Sequence, residues 1–203
     1  MKVVPVEAGP ANVYKLMIGA IIPRPIAFVS TISLDGIPNL APFSFFTAAS
    51  ANPPVICFAP MVRGSDGHQK DTLNNVRSTA EFVVNIVSED FVEKMNICSA
   101  EFPPDVNEWE KSGLTPIASE RVKPARVAES RFQMECKLVD VVSVSTQPLG
   151  GSLVIGEVLL FHVADEIVDD YRIDVDKLRA VGRMGGPSYT RTTDRFDLER
   201  PKL

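Results

Sequence analysis

The 203-residue sequence predicts a mainly β protein, built as a β-barrel core with short helical inserts. Three observations predict this fold class. Apolar runs of strand length are bounded by proline and glycine turn signals, and helical spacing is confined to short segments. Strands and helices also fail to alternate as they do in βαβ folds. The length and ordinary composition fit a single domain over residues 1–203, with a charged tail from about residue 191.

The first two strands are predicted to form a hairpin. The run IAFVSTIS at 26–33 is rich in β-branched residues and is followed by a turn signal at 34–36. The returning limb carries Pro38 and Pro42, which have no N–H to donate to a sheet ladder. We therefore expect this limb to be an edge strand or an irregular segment, with part of its backbone outside the sheet.

Four further segments are predicted to be strands. The segment 132–138 shows the clearest alternation, with Phe132 and Met134 on one face and Gln133 and Glu135 on an exposed face. In the last of the four, Gly156 indicates a bulge or a close backbone approach. The predicted segments are 54–61, 81–87, 132–138 and 150–163.

Two short helices are predicted between the strands. One follows Lys70, with Asp71 or Thr72 as its N-cap, and the other follows Ser88. The segment after the second helix, 101–116, is predicted to be a surface excursion. The acidic segment 164–177 has calcium-like spacing but lacks the EF-hand glycine and terminal glutamate, so we interpret it as a solvated loop.

Composition excludes several classes of function. The net charge of −5 argues against nucleic acid as a partner, because binding its backbone needs clustered lysine and arginine. Cys57, Cys98 and Cys136 lack the spacing of a zinc site or a disulfide framework, so no metal site is predicted and a reducing cytoplasm is expected. Pro5 and Glu7 precede any apolar stretch of signal-peptide length, so no targeting segment is predicted, and charged residues and prolines interrupt the apolar stretch 13–30, so no membrane span is predicted.

Side chains that could act as catalysts are scarce. His68 and His162 are the two histidines, and neither a nucleophile elbow nor a zinc-protease motif occurs. A cysteine–histidine pair is one alternative, but a small buried cysteine is the commoner role. We therefore predict no catalytic side chain and expect a cofactor to carry any chemistry.

Two features indicate an anion site. Lys70 and Thr72 stand at the start of a predicted helix, where unpaired N–H groups and the helix dipole favour a phosphate. Arg24 lies between Pro23 and Pro25, which fix the backbone on both sides of its guanidinium. The alternatives are an ordinary capped helix with a solvated lysine, and a surface arginine at a strand entrance.

Five stretches in the same order give the sequence a family resemblance. They are PRPIAFVSTISLDGIPNLAPFSFF, KDTLNNVRSTAEFVVNIV, NEWEKSGLTP, IGEVLLFHV and VGRMGGPSY. Together they resemble the flavin reductase-like family, the FMN-binding split-barrel proteins that include flavoredoxin. The resemblance extends from about residue 12 to 190.

The resemblance implies a Greek-key split β-barrel that forms a homodimer, with FMN near the subunit interface. It places Lys70 and Thr72 near the ribityl phosphate and brings Arg183 and Tyr189 of the closing motif to the pocket. His162 matches a recurrent position, although a core or interface histidine is an equal alternative. The residues implied around the flavin are Arg24, Ser30, Thr31, Asn39, Ala41 and Ser44. Phe43, Phe45 and Phe46 could wall the ring slot or pack in the core.

The function implied is that of an FMN-dependent oxidoreductase. NADH or NADPH would deliver hydride to flavin N5, and the electrons would pass to free flavin, a protein or oxygen. The first alternative is an electron-transfer flavoprotein of the flavoredoxin type, which receives electrons from a protein. The second is a split-barrel module that has lost its cofactor.

Overall fold

The computed structural model describes residues 1–103 and 106–201. It contains two short 3₁₀ helices, at Glu89–Phe91 and Asp165–Ile167, in addition to α-helices and β-strands. The helices are α1 (Pro5–Ala8), α2 (Pro10–Ala20), α3 (Asp71–Thr79), α4 (Val92–Ile97), α5 (Glu108–Ser112) and α6 (Val175–Leu178). The strands are β1 (Ala27–Ile32), β2 (Pro38–Phe43), β3 (Phe46–Ala51), β4 (Pro54–Phe58), β5 (Glu81–Ile86), β6 (Pro116–Ile117), β7 (Arg126–Val127), β8 (Phe132–Ser143), β9 (Ser152–Val163), β10 (Val168–Asp169), β11 (Arg172–Ile173), β12 (Val181–Arg183) and β13 (Tyr189–Arg191).

Seven strands form one antiparallel sheet in the order β2-β1-β5-β8-β9-β4-β3. Its two ends, β2 and β3, are not paired with each other, so the curved sheet stays open. Three two-stranded ladders, β6-β7, β10-β11 and β12-β13, lie outside it. The prediction of a mainly β protein with short helical inserts is confirmed.

Two hydrophobic clusters pack on opposite faces of this sheet. Phe58 and Phe82 are fully buried in the first cluster, which fills the inside of the curved sheet. Phe28 and Trp109 belong to the second, which lies under α4 and α5. The helical inserts cover an apolar face of the sheet and complete the second core. Burial of each large aromatic side chain stabilises the fold by about 1.5–3 kcal/mol.

The predicted hairpin is confirmed, and its second limb is an edge strand. β2 pairs with β1 along its whole length, from Pro38 opposite Ile32 to Phe43 opposite Ala27. The expectation that part of its backbone lies outside the sheet is therefore wrong, whereas the expectation that its backbone donors are not all in the ladder is confirmed. Residues 38, 40 and 42 direct their backbone nitrogens to the outer edge of β2, away from β1. On that edge the N–H of Leu40 donates to the Glu108 carboxylate, and the two prolines are tolerated because no ladder bond needs an N–H there.

Other local predictions need correction. The N-cap of α3 is Lys70, and Thr72 lies buried in the first turn. The segment 101–116 is more than a surface excursion, because α5 buries Glu108 and Trp109; the part of that prediction at 104–105 lies outside the described residues. The segment 164–177 is mostly exposed, as predicted, but it forms the β10-β11 hairpin and α6.

The segment 118–127 covers the outer face of β8. Gln133 and Glu135, predicted to be exposed, are 5% and 0% exposed because the segment 118–127 folds over them. The prediction for Gly156 is confirmed. A Cβ at this position would collide with the Phe82 ring, and the register of the opposing strand β8 shifts beside it.

Candidate functional site

A groove runs along the edge strand β2 and consists of two neighbouring cavities. The first has a volume of about 70 Å³ and the second about 100 Å³, and Pro42 and Ser99 line both. Residues 39 to 43 of β2, which border the groove, rise about 13 Å along the strand, and Ser44 follows them. Of the predicted site residues, the first cavity contains Asn39, Ala41, Lys70 and Thr72, and the second contains Ser44, Arg183 and Tyr189. We call these the Lys70 end and the Arg183 end.

A buried polar cluster lies behind the Lys70 end. The Asn39 side-chain amide donates to Thr31 Oγ1 at 3.2 Å and to Thr72 Oγ1 at 2.9 Å, and Asn75 also donates to Thr31 at 3.0 Å. All four side chains are at most 8% exposed. These bonds hold α3 against the β1-β2 hairpin and fix the orientation of Asn39 and Thr72.

The polarity of this cluster determines what it can offer a ligand. Both N–H groups of Asn39 are used inside the cluster, so its Oδ1 atom remains as an acceptor. Thr72 accepts from Asn39, so its own hydroxyl proton remains available to another acceptor. The Lys70 end therefore presents one fixed acceptor and one fixed donor.

Positive charge and unpaired N–H groups also gather at the Lys70 end. The first bonds within α3 go from Leu73 and Asn74 to the Lys70 carbonyl, which leaves the N–H groups of Asp71 and Thr72 outside the intrahelical ladder. Lys70 Nζ lies 3.4 Å from Glu101 Oε1. This combination of a helix start, an ammonium group and a hydroxyl suits a phosphate.

Arg63 joins this end of the groove and was not predicted from the sequence. Its Nη2 atom lies 3.3 Å from Asp71 Oδ2 and 3.4 Å from the Phe102 carbonyl oxygen. Its Nε atom is buried and has no hydrogen-bond partner among the residues that the structure describes. No sequence motif indicates Arg63, which stands in the loop between β4 and α3.

Three carboxylates balance these cations. The hydrogen bond from Ser65 and the nearby Lys70 lower the pKa of Glu101, whereas burial raises the pKa of Glu108. Asp71 pairs with Arg63. Burial also raises the pKa of Cys98, in the wall of the groove, to about 11, so this thiol stays neutral at physiological pH.

Arg24 lies just behind the Arg183 end and is 4% exposed. Its guanidinium donates to the carbonyl oxygens of Ile18 and Ile21 at 2.7 and 2.8 Å, and to that of Met184 at 2.9 Å. Its Nε donates to Ser44 Oγ at 3.2 Å. Arg24 thus joins the end of α2 to the groove, and a direct contact with a ligand stays a prediction.

Arg183 and Tyr189 face each other at the other end of the groove. The Arg183 guanidinium carbon lies 4.5 Å from the centre of the Tyr189 ring, and the Tyr189 hydroxyl donates to Asn96 at 2.9 Å. Backbone bonds in both directions between Arg24 and Arg183 attach this β12-β13 hairpin to the barrel. The stacked pair offers a flat apolar surface beside a positive charge.

Ser30 and His162 lie away from the groove. The Ser30 hydroxyl donates to the Ala125 carbonyl oxygen. His162 Nε2 is 2.6 Å from Glu135 Oε1, on the opposite side of the sheet from α3. His162 therefore fits the core alternative, and contact of Ser30 with a ligand stays a prediction.

Residues 1–103 and 106–201 show neither a metal-binding cluster nor a membrane-spanning helix. Within these ranges, His, Cys, Asp and Glu side chains do not form a group of three or more that could hold a metal ion. The same ranges contain no helix with the length and apolar character needed to span a membrane.

Comparison with known proteins places the fold in a family. Residues 18–178 match the family described as "Flavin reductase like domain". Nitrilotriacetate monooxygenase component B from Bacillus cereus is 36% identical, with a TM-score of 0.92 over 98% of each chain. Pseudomonas fluorescens 2-nitrobenzoate 2-nitroreductase is 32% identical, with a TM-score of 0.89 over 100% of this chain and 98% of that one. A Shewanella frigidimarina protein with a split barrel domain is 25% identical, with a TM-score of 0.81 over 92% and 91%. The predicted Greek-key split β-barrel is confirmed.

Proposed function

Because this chain belongs to the flavin reductase-like family, we propose that it is an FMN-dependent oxidoreductase that accepts hydride from NADH or NADPH. The observation that carries the proposal is the groove along β2, which gathers seven of the ten residues implied around the flavin. The groove runs from a cationic helix start to an aromatic–arginine pair. This order suits a ligand with a phosphate at one end and a flat ring at the other.

The Lys70 end would hold the phosphate. Lys70 supplies an ammonium group, Thr72 a hydroxyl proton that the Asn39 bond leaves available, and the α3 start its unpaired N–H groups. A phosphate ester is a dianion near neutral pH, so it gains from all three donors at once. A flavin without its phosphate would lose these three interactions and should bind more weakly.

The Arg183 end would hold the ring system. Pro42 and the Tyr189 ring supply apolar contact, and the hydroxyls of Ser44 and Ser99 can reach ring heteroatoms. The Arg183 guanidinium makes a long hydrogen bond of 3.4 Å to the Ser188 carbonyl oxygen, so it could turn to stabilise negative charge on the reduced ring. Ser44 is held in position by Arg24.

The protein's contribution to the reaction is to bind and orient. When bound, the flavin supplies the hydride-accepting N5 atom and the electron storage that side chains lack. The groove residues beside β2 would hold and orient the ring. No nucleophile is required, which agrees with the neutral Cys98 thiol and with the distance of His162 from the groove.

The visible absorption of the purified protein, followed by anaerobic mixing with each nicotinamide, tests this function. We expect a bound flavin spectrum that bleaches with NADH or NADPH within the time of one turnover. A bound flavin that neither nicotinamide reduces would contradict the reductase assignment and favour the flavoredoxin type. A protein that binds neither FMN nor riboflavin would exclude both.

We also propose that the chain works as a homodimer. Every residue of α2 is at least partly exposed, and the apolar side chains Leu16, Met17 and Ile21 are 51%, 43% and 55% exposed. Beside α2 lies an apolar pocket of about 480 Å³, and the edge strand β3 exposes Thr47–Ala51. An open edge and an apolar helix face on one side of a barrel are features that a second copy would cover.

The substitution Leu16→Lys is expected to produce monomers, because an unpaired charge buried in an apolar subunit contact carries a large desolvation penalty. Light scattering behind size exclusion measures the molar mass. The matched control is Leu34→Lys, which places the same change on the exposed β1-β2 turn and should leave the dimer intact. A monomeric wild-type protein would refute the proposal.

A reducing cytoplasm is the proposed location. Cys57, Cys98 and Cys136 are all buried free thiols, a state that such a compartment preserves. Cell fractionation with an antibody tests this location, and recovery in an extracellular fraction would overturn it.

A further inference from the structure

We propose that Arg63 is a second cationic residue of the phosphate subsite and that it exchanges its partner Asp71 for the phosphate when FMN binds. The inference rests on the proposed function and adds to it a residue that discriminates between phosphorylated and unphosphorylated flavins. Arg63 lines the same cavity as Lys70 and Thr72. It reaches this cavity from the loop after β4 and pairs there with Asp71, the first residue of α3.

The contacts of Arg63 are incomplete for a side chain so well covered. Its side chain is 12% exposed, yet its Nε atom is buried and has no partner in the described part of the chain. Leaving a buried N–H without an acceptor is unfavourable, so an acceptor in the cavity that Arg63 lines would gain from pairing with it. A phosphate oxygen is such an acceptor.

The present partners of Arg63 are also distant. Its guanidinium nitrogens lie 3.3 Å from Asp71, 3.4 Å from the Phe102 carbonyl and 3.8 Å from Asp66. Charge-assisted bonds are strong at about 2.7–2.9 Å, so these contacts are weak enough to be exchanged. A guanidinium can bind two phosphate oxygens in parallel, which a single carboxylate at these distances does not match.

Asp71 acts against the anion in this arrangement. It is the first residue of α3 and lines the same cavity, so its carboxylate occupies the helix start that favours a phosphate. In the Arg63–Asp71 pair the negative charge of Asp71 offsets the positive charge of Arg63. When a phosphate binds, the Arg63 guanidinium would pair with it instead of with Asp71, and the Asp71 carboxylate would remain at the start of α3.

The first arm of the test compares FMN with riboflavin. Arg63→Gln is expected to weaken FMN by about 10- to 100-fold, as for a lost charge-assisted bond, and riboflavin by less than about 3-fold. Lys70→Ala should show the same selectivity. The matched control is Arg77→Gln. Arg77 lies in α3, and its side chain donates to Gln69 and Ser143 outside the groove. Equal loss of both ligands, or no loss of either, would overturn the assignment of Arg63.

The second arm uses Asp71→Asn, which stays informative if Arg63→Gln fails to fold. Removal of this carboxylate frees Arg63 and lowers the repulsion, so FMN affinity should rise several-fold while riboflavin affinity stays constant. A fall in FMN affinity in Asp71→Asn would contradict the exchange. Riboflavin binding by the wild-type protein is the separate measure of the proposed function, so the two ideas can fail independently.

Discussion

Replacing Arg24 with alanine is expected to lower the free energy of unfolding by about 3 kcal/mol. Three carbonyl oxygens, those of Ile18, Ile21 and Met184, accept from the Arg24 guanidinium and would lose their donors together. Each such loss costs about 1 kcal/mol or more. Burial lowers the pKa of Arg24, Tyr14 opposes this effect and Arg183 adds to it, so the buried guanidinium, which keeps its charge in proteins, depends on these acceptors to offset its lost hydration.

The same substitution should weaken flavin binding, because Ser44 and the β12-β13 hairpin lose their connection to α2. Equilibrium urea unfolding and FMN titration measure the two effects. Arg24→Lys is the informative partner variant, since it keeps the charge but cannot reach four acceptors with one ammonium group. We expect it to recover little of the stability. Arg183→Ala is the control, with weaker flavin binding but nearly unchanged unfolding. An unaltered unfolding curve for Arg24→Ala would show that its bonds to α2 and Met184 contribute nothing net.

Replacing Glu135 with glutamine is expected to destabilise the fold by about 3 kcal/mol near neutral pH. The buried carboxylate accepts from the N–H groups of Glu120, Arg121 and Val122, and it lies 2.6 Å from His162. Each loses its charge-assisted partner in the variant. The segment 118–127, which covers β8 through these bonds, should become the first part to open.

The effect of Glu135 should depend on pH with a definite sign. Burial alone would raise the pKa of Glu135, but the backbone N–H groups of Glu120 and Arg121 together with His162 outweigh it and hold the pKa below its ordinary value of 4.5. A carboxylate with a lowered folded-state pKa stabilises the fold above about pH 4.5 and loses this contribution as the pH falls through the lowered value. The stability difference between wild type and Glu135→Gln should therefore shrink on acidification. Glu166→Gln, an exposed carboxylate, is the control. A difference that stays constant from pH 7 to pH 3 would contradict this account.

Local patterns in the sequence were enough to predict most of the sheet. β1, β4, β5 and β9 fall within segments whose β-branched runs or alternation predict strands, and β8 begins as predicted but continues beyond residue 138 to Ser143. β3 was not predicted, because Phe46–Ala51 is rich in small residues with low strand propensity and is held in place by β4. The covered face of β8 was predicted wrongly because alternation reports polarity, and a polar face can be buried when another segment supplies its hydrogen bonds.

The site was predicted in part, for a related reason. Lys70, Thr72 and Asn39 are placed by short-range elements, the α3 start and the β1-β2 hairpin, so their neighbourhood follows from local signals together with the family resemblance. Arg63 is brought to the groove only by the path of the loop after β4, which no local pattern encodes. Arg24 had a signal, its two flanking prolines, but the acceptors that surround it come from α2 and from residue 184, 160 positions away.

The placement of Trp109 has a practical consequence. It is the only tryptophan in the chain, it is 5% exposed, and it follows Glu108, which lines the Lys70 end of the groove. Its indole emission therefore originates at one fixed position beside the groove, and a flavin, which absorbs in the range where indole emits, would quench it. The chain thus carries an intrinsic fluorescent reporter of groove occupancy, readable without labelling for FMN and riboflavin alike.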